Sequence, residues 1–302
     1  MTVTYNKPLT QRNTNFGLPP LFVEWMHSFD LEEILSPIRG LTAVWAKRTS
    51  PTNASLDDLG LACMDLALWC LYLDDYFQED YNIVFEKCSK ILDGHQPAPN
   101  EAKLFHAYAD IINRVAHRGY DMQSYLQARK DYLRCRLKLH LYGRTNQNNL
   151  SFNELFELRQ VTVGLHFWTS LWEILGDFYL NPIVRAMPEI KPAMRAVSSV
   201  CMLYNDLHSL ARDIEDKTPN LVILYMAEYG GDIASTTKHF EKLIQQEANT
   251  FQLASQSVLN ISSSDHIRQY FKLLDIVFNY HYIPGLIAND NPKRYQLKMS
   301  NC

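Results

Sequence analysis

Leu203-Tyr204-Asn205-Asp206-Leu207-His208-Ser209-Leu210-Ala211-Arg212-Asp213 is the stretch on which the reading of this chain turns. Asn205, Ser209 and Asp213 stand at i, i+4 and i+8, so on a helix they form one row that drifts by only ~40° per step. Each offers a hard oxygen: an amide carbonyl, a hydroxyl and a carboxylate. Three such donors in a row suit Mg²⁺, whose remaining positions are filled by water and phosphate. Arg212 stands beside Asp213 and can donate to a phosphate oxygen. The competing reading is a polar outer helix face. Against it stand the apolar flanks, Val200 to Leu203 before the row and Leu221 to Leu224 after it.

Upstream, Leu66 to Leu73 is an apolar run that ends in Asp74-Asp75-Tyr76-Phe77-Gln78-Glu79-Asp80. On a helix, Asp75 and Glu79 share a face and Asp74 lies about 100° away. Carboxylates at the mouth of an apolar cavity repel one another unless a divalent cation or an arginine joins them. Read alone, the segment is equally compatible with a solvated helix end.

The rest of the chain is read as helix. Only 11 of 302 residues are glycine and 12% are aromatic, and the longer segments repeat with helical rather than alternating periodicity. Helices are expected from about Leu59 to Phe77, Glu101 to Arg118 and Gln123 to Tyr142. Another starts at Ser151, with Glu154 completing its cap. It continues past Gly164 and Gly176, with a kink or break near the first. Further helices run from about Ala193 to Asp216, from Pro219 to Gly230-Gly231, and twice more before Pro284, making about ten in all. The fold class is therefore all-α. Residues 1–20 are expected to be a mobile segment, and 21–302 a single-domain helical bundle with an apolar cavity between facing helices.

Composition narrows the partners. The net charge of -4 comes without a basic stripe, which excludes a nucleic-acid binder. No apolar run is long enough to span a membrane, and the polar, proline-containing start lacks the layout of a signal peptide. Six scattered cysteines without a CxxC pair read as reduced thiols in a cytoplasmic protein.

Taken together, the two polar segments resemble the metal-binding motifs of microbial class I terpene synthases. That family carries DDxxxE or DDxxD, matched by Asp74, Asp75 and Glu79, and NDxxSxxxE, matched by Asn205, Asp206, Ser209 and Asp213. Asp213 replaces the usual glutamate and shortens its reach by one methylene. The family places a diphosphate-sensing arginine 46 residues before the motif asparagine, where Arg159 stands. It also ends in an Arg-Tyr pair, matched by Arg294-Tyr295. The resemblance implies the class I terpenoid synthase α fold, three Mg²⁺ ions and an isoprenyl diphosphate substrate. It implies a backbone carbonyl near a kink that triggers ionisation, with Thr162, Val163 and Gly164 as candidates. A tryptophan that many relatives carry before the Arg-Tyr pair is replaced here by Gly285 to Asp290.

On this reading Asp74, Asn205, Ser209 and Asp213 hold metal. Asp75 orients an arginine or joins them, and Glu79 is an outer or occasional ligand. Arg159, Arg212, Arg294 and Tyr295 bind the departing diphosphate. Trp69, Tyr72, Phe77, Phe167 and Trp168, with Trp172 and Tyr282, are candidates to line the pocket and face the carbocation. His166 and His208 are read as structural. Farnesyl diphosphate is the favoured substrate and geranylgeranyl diphosphate the alternative; a homodimer is compatible. A chain-elongating prenyltransferase would carry a second aspartate-rich motif in place of the Asn/Ser/Asp row. A non-catalytic isoprenoid-binding relative or a purely structural bundle would show no Mg²⁺-dependent diphosphate release.

Overall fold

Every residue of Leu165–Leu175 except His166 is buried, and a helix buried on all sides must be surrounded by others. The computed structural model describes residues 17–36, 38–73, 81–144, 150–215 and 218–282, without the side chains of 70–73, 143, 144 and 261. Among these residues there are fourteen helices and no strand: α1 (Pro20–Ser28), α2 (Glu32–Leu35), α3 (Arg39–Arg48), α4 (Leu56–Leu73), α5 (Tyr81–Leu92), α6 (Lys103–Ala116), α7 (Gln123–Arg144), α8 (Phe152–Thr162), α9 (Leu165–Leu175), α10 (Pro182–Arg185), α11 (Lys191–Glu215), α12 (Leu221–Tyr229), α13 (Ile233–Ile261) and α14 (Asp265–Tyr282).

Around α9 pack α4, α6, α7 and α14. On one side α4 also meets α1 and α3. On the other, α11 lies along α13 and α14 and touches α8 and α12. Small residues of α11, Ala193, Ala196, Ser198 and Ser199, are fully or almost fully buried and let its neighbours approach closely. None of the described helices is long and apolar enough to cross a membrane. Cys63, Cys88 and Cys201 are free thiols buried in the core, and burial pushes the Cys63 thiol up to about 12.

The count of about ten helices fell short chiefly at the N-terminus. Helices α1 to α3 are short and have no side-chain cap, so no start signal marks them, yet Phe22, Trp25 and Met26 are buried. The helix expected to pass Gly176 stops there. A Cβ on Gly176 would lie 2.8 Å from the Trp172 carbonyl oxygen and 2.6 Å from the Phe178 ring. Asp177 then turns into the left-handed region at φ 55°, and the Phe178 N–H closes onto Glu173 O at 3.1 Å. The break foreseen near Gly164 is present, and separates α8 from α9.

His281 carries a pH dependence. Burial lowers its pKa from 6.5 to about 4, against a 2.8 Å bond from Nδ1 to the Val277 carbonyl. The ring is neutral in the fold and takes up a proton below about pH 6.5 when unfolded. Stability is therefore expected to fall as pH drops from 6.5 towards 4. In chemical denaturation, His281→Phe should flatten that slope by up to about 1.4 kcal/mol per pH unit. An unchanged slope refutes the assignment.

Candidate active site

The C-terminal half of α11 and the last turn of α8 face each other, and the polar row lies at their junction. Arg159, on α8, donates from Nη2 to Asn205 Oδ1 at 3.2 Å and pairs with Asp206 through the same nitrogen. Its buried Nε has no acceptor among the described residues. The sensor candidate is thus anchored through Nη2 to the start of the row.

Asp206 is fully buried. One oxygen meets Arg159 and the other accepts the Leu221 N–H at 2.9 Å, so this carboxylate ties α8, α11 and the start of α12 together. Burial raises its pKa, and the Arg159 charge and the Leu221 N–H oppose that rise. Both of its oxygens are therefore held by protein donors.

Within the row, Ser209 Oγ donates to Asp213 Oδ2 at 2.6 Å. Arg212 donates to Asp213 Oδ1 from Nη2 at 2.8 Å and from Nε at 3.2 Å. Asn220 was not singled out from the sequence. Its amide nitrogen donates to Asp213 Oδ2 and to the Asp206 carbonyl, both at 2.8 Å, while its carbonyl caps α12 through Val222 N at 2.8 Å. The one signal that could have found it is a capping asparagine directly before Leu221-Val222-Ile223-Leu224.

Spacing along α11 therefore does bring Asn205, Ser209 and Asp213 together, with Arg159 and Arg212 alongside. No cluster of three or more His, Cys, Asp or Glu able to hold a metal occurs among the described residues. The donor set here is instead an amide, a hydroxyl and one carboxylate, all hard oxygens, and its chemistry fits Mg²⁺. Asp74, Asp75, Phe77, Glu79, Arg294 and Tyr295 lie outside the described residues, as does the side chain of Tyr72.

At the α8–α9 break, Gly164 adopts φ 82°, and a Cβ there would lie 2.9 Å from Trp69 Nε1 and from the Phe167 ring. Glycine is required for both backbone and space. The Gly164 carbonyl accepts the Trp168 N–H at 3.1 Å, whereas no backbone N–H among the described residues reaches the carbonyls of Thr162 or Val163. Thr162 is buried, with a hydroxyl that has no partner among the described residues, and Val163 is partly exposed.

The aromatic candidates divide by exposure. Phe167 and Trp168 are 2% and 1% exposed, and Trp172 is fully buried. Arg129 covers a face of Phe167 at 3.8 Å from the ring centroid. Trp69 is half-buried and stacks with Trp45 of α3, also half-buried, at 6.2 Å. Trp45 in turn packs on Trp168 at 4.6 Å. Tyr282 is held by Gln245 at 2.8 Å and stacks on Phe278. His208 bonds through Nδ1 to the Tyr204 carbonyl at 2.8 Å, and burial lowers the His166 pKa to about 4. Trp45 escaped the sequence reading because it lies far upstream of both motifs.

The family model for terpene synthase family 2, C-terminal metal binding, matches residues 65–250, a span that contains both metal motifs and Arg159. No curated protein sequence matched the chain. Among solved structures, a linalool/nerolidol synthase from Streptomyces clavuligerus with 2-fluorogeranyl diphosphate aligns at TM-score 0.76 and 17% identity, over 86% of this chain and 94% of that one. Germacradien-4-ol synthase from Streptomyces citricolor aligns at 0.70 and 17%, over 87% and 92%. A 2-methylisoborneol synthase from Streptomyces coelicolor A3(2), with Mg²⁺ and geranyl-S-thiolodiphosphate, aligns at 0.71 and 14%, over 92% and 94%. These likenesses show a shared all-α fold.

Proposed function

Because the chain belongs to terpene synthase family 2, and so to the class I terpene synthases, we propose that it ionises a linear isoprenyl diphosphate, farnesyl diphosphate in preference to geranylgeranyl diphosphate, and cyclises the carbocation to a terpene hydrocarbon or alcohol. The observation that carries the proposal is the junction of α8 and α11. There Arg159 bonds to Asn205, the first member of the oxygen row of Asn205, Ser209 and Asp213. Two structural neighbours hold prenyl diphosphate analogues, one of them with Mg²⁺, which supports the same ligand class here.

Asn205, Ser209 and Asp213 would hold Mg²⁺ from one side, and Asp74, with Asp75 and Glu79 near it, from the other. Bound Mg²⁺ would neutralise the charge that develops on the diphosphate oxygens. Arg159 would donate to the oxygens of the leaving group. Arg212, on the half-exposed side of Asp213, exchanges a carboxylate for a phosphate oxygen, and Arg294 and Tyr295 complete the set. Of the candidate carbonyls at the break, that of Gly164 is occupied by Trp168, and Thr162 is buried. This favours Val163 as the dipole aimed at the breaking bond.

The carbocation needs a dry, apolar enclosure. Trp69 and Trp45 offer it a wall, because they are the partly exposed members of the tryptophan cluster. One face of Phe167 already serves a guanidinium.

Incubation with ten-, fifteen- and twenty-carbon diphosphates, with and without Mg²⁺, tests the reading by mass spectrometry of extracts and assay of released diphosphate. The expected result is a Mg²⁺-dependent product from the fifteen-carbon substrate. Product from the twenty-carbon substrate alone moves the preference to geranylgeranyl diphosphate. Release from none would leave a non-catalytic isoprenoid binder.

A further inference from the structure

We infer that Asn220 is a positioning residue for the metal-holding carboxylate of Asp213, an assignment that rests on the proposed function and adds to it. Asp213 is 4% exposed and Asn220 2% exposed. Both hydrogens of the Asn220 amide are committed, one to Asp213 Oδ2 and one to the Asp206 backbone carbonyl, each at 2.8 Å. The amide oxygen is committed as well, to the Val222 N–H. A side chain fixed at three points cannot follow Asp213, so Asp213 is held to it.

The effect on Asp213 is directional. Oδ2 is fixed by two donors within the protein, Ser209 and Asn220. Among the described residues Oδ1 is held by Arg212 alone, whose side chain is 37% exposed. Asn220 therefore makes one oxygen permanent scaffold and leaves the other to be released. The short aspartate arm sharpens the need. It has one fewer torsion than glutamate and cannot correct a misplaced carboxylate by extending. The connection between them is anchored too, since Thr218 N donates to the Asp213 carbonyl at 2.9 Å.

The test separates this role from simple helix capping. Asn220→Ser retains a capping oxygen for α12 but loses both amide donors. Asn220→Asp retains size and cap while placing a carboxylate against Asp213. For wild type and both variants, melting temperature is measured with inorganic diphosphate across a Mg²⁺ series, and the Mg²⁺ concentration giving half of the stabilisation is read. With ligand-free melting within about 3 °C of wild type for Asn220→Ser, its Mg²⁺ midpoint should rise about tenfold, and that of Asn220→Asp further.

A midpoint within twofold of wild type in either folded variant overturns the role, whatever happens to ligand-free stability. Two variants that both fail to fold overturn it as well, because Asn220 then supports the fold rather than the site. A wild type that gains nothing from Mg²⁺ and diphosphate overturns the metal site itself, and is distinguished by failing before any variant is compared.

Discussion

Asn205→Ala is expected to lower diphosphate release from the isoprenyl substrate by at least about a hundredfold, the scale on which loss of one group stabilising transition-state charge is felt. Asn205 supplies the first oxygen of the α11 row, and its Oδ1 is also where Arg159 rests at 3.2 Å. On the proposed reading, truncation removes a metal donor together with the Asn205 bond to Arg159. The fold should tolerate the change. Asn205 is partly exposed, α11 stays packed along α13 and α14, and Asp206 retains its pair with Arg159 and its bond to Leu221. Melting temperature should therefore move little while turnover collapses. Asp74→Ala, on the strength of the motif match, should lower release to a similar extent. Activity within threefold of wild type in either variant removes that residue from the metal site.

The row Asn205, Ser209, Asp213 was legible because helical geometry converts a spacing of four into a shared face, and Ser209 does bond to Asp213. The Gly164 break was legible because a glycine inside a helical pattern needs a reason, and the reason is space against Trp69 and Phe167. What escaped notice depends on contacts between elements distant in the chain. Asn220 bonds back to Asp206 from the next helix, 14 residues on, and no periodicity carries that information. Asp65 could be seen as a lone acid in an apolar run, but its partner Arg129 stands 64 residues away. Helices α1 to α3 lacked side-chain caps, and of the three only α1 has buried aromatics, Phe22 and Trp25. At the aspartate-rich segment and at Arg294-Tyr295, the motif match alone supports the assignment.

The buried pair of Asp65 and Arg129 should be the most costly in the protein to break. Both are almost wholly inaccessible, at 0% and 1% exposure. Asp65 Oδ1 pairs with Arg129 and accepts the Tyr125 hydroxyl at 2.6 Å. Arg129→Met should destabilise the fold by about 3–5 kcal/mol, because it leaves a carboxylate in the core without its counter-charge. The pair is itself incompletely satisfied: Asp65 Oδ2 and Arg129 Nε have no partner among the described residues. Replacing both partners, as Asp65→Leu with Arg129→Met, should therefore recover at least half of the loss, since the desolvation cost goes with the charges. Chemical denaturation of the two single variants and the double variant measures the coupling. A loss under about 1 kcal/mol for Arg129→Met, or a double variant weaker than either single one, contradicts the account. The pair also bears on the site. The guanidinium of Arg129 lies on Phe167, whose ring packs at the Gly164 break. An Arg129→Met chain that still folds should therefore turn over more slowly than the double variant, in which the bare carboxylate of Asp65 is gone.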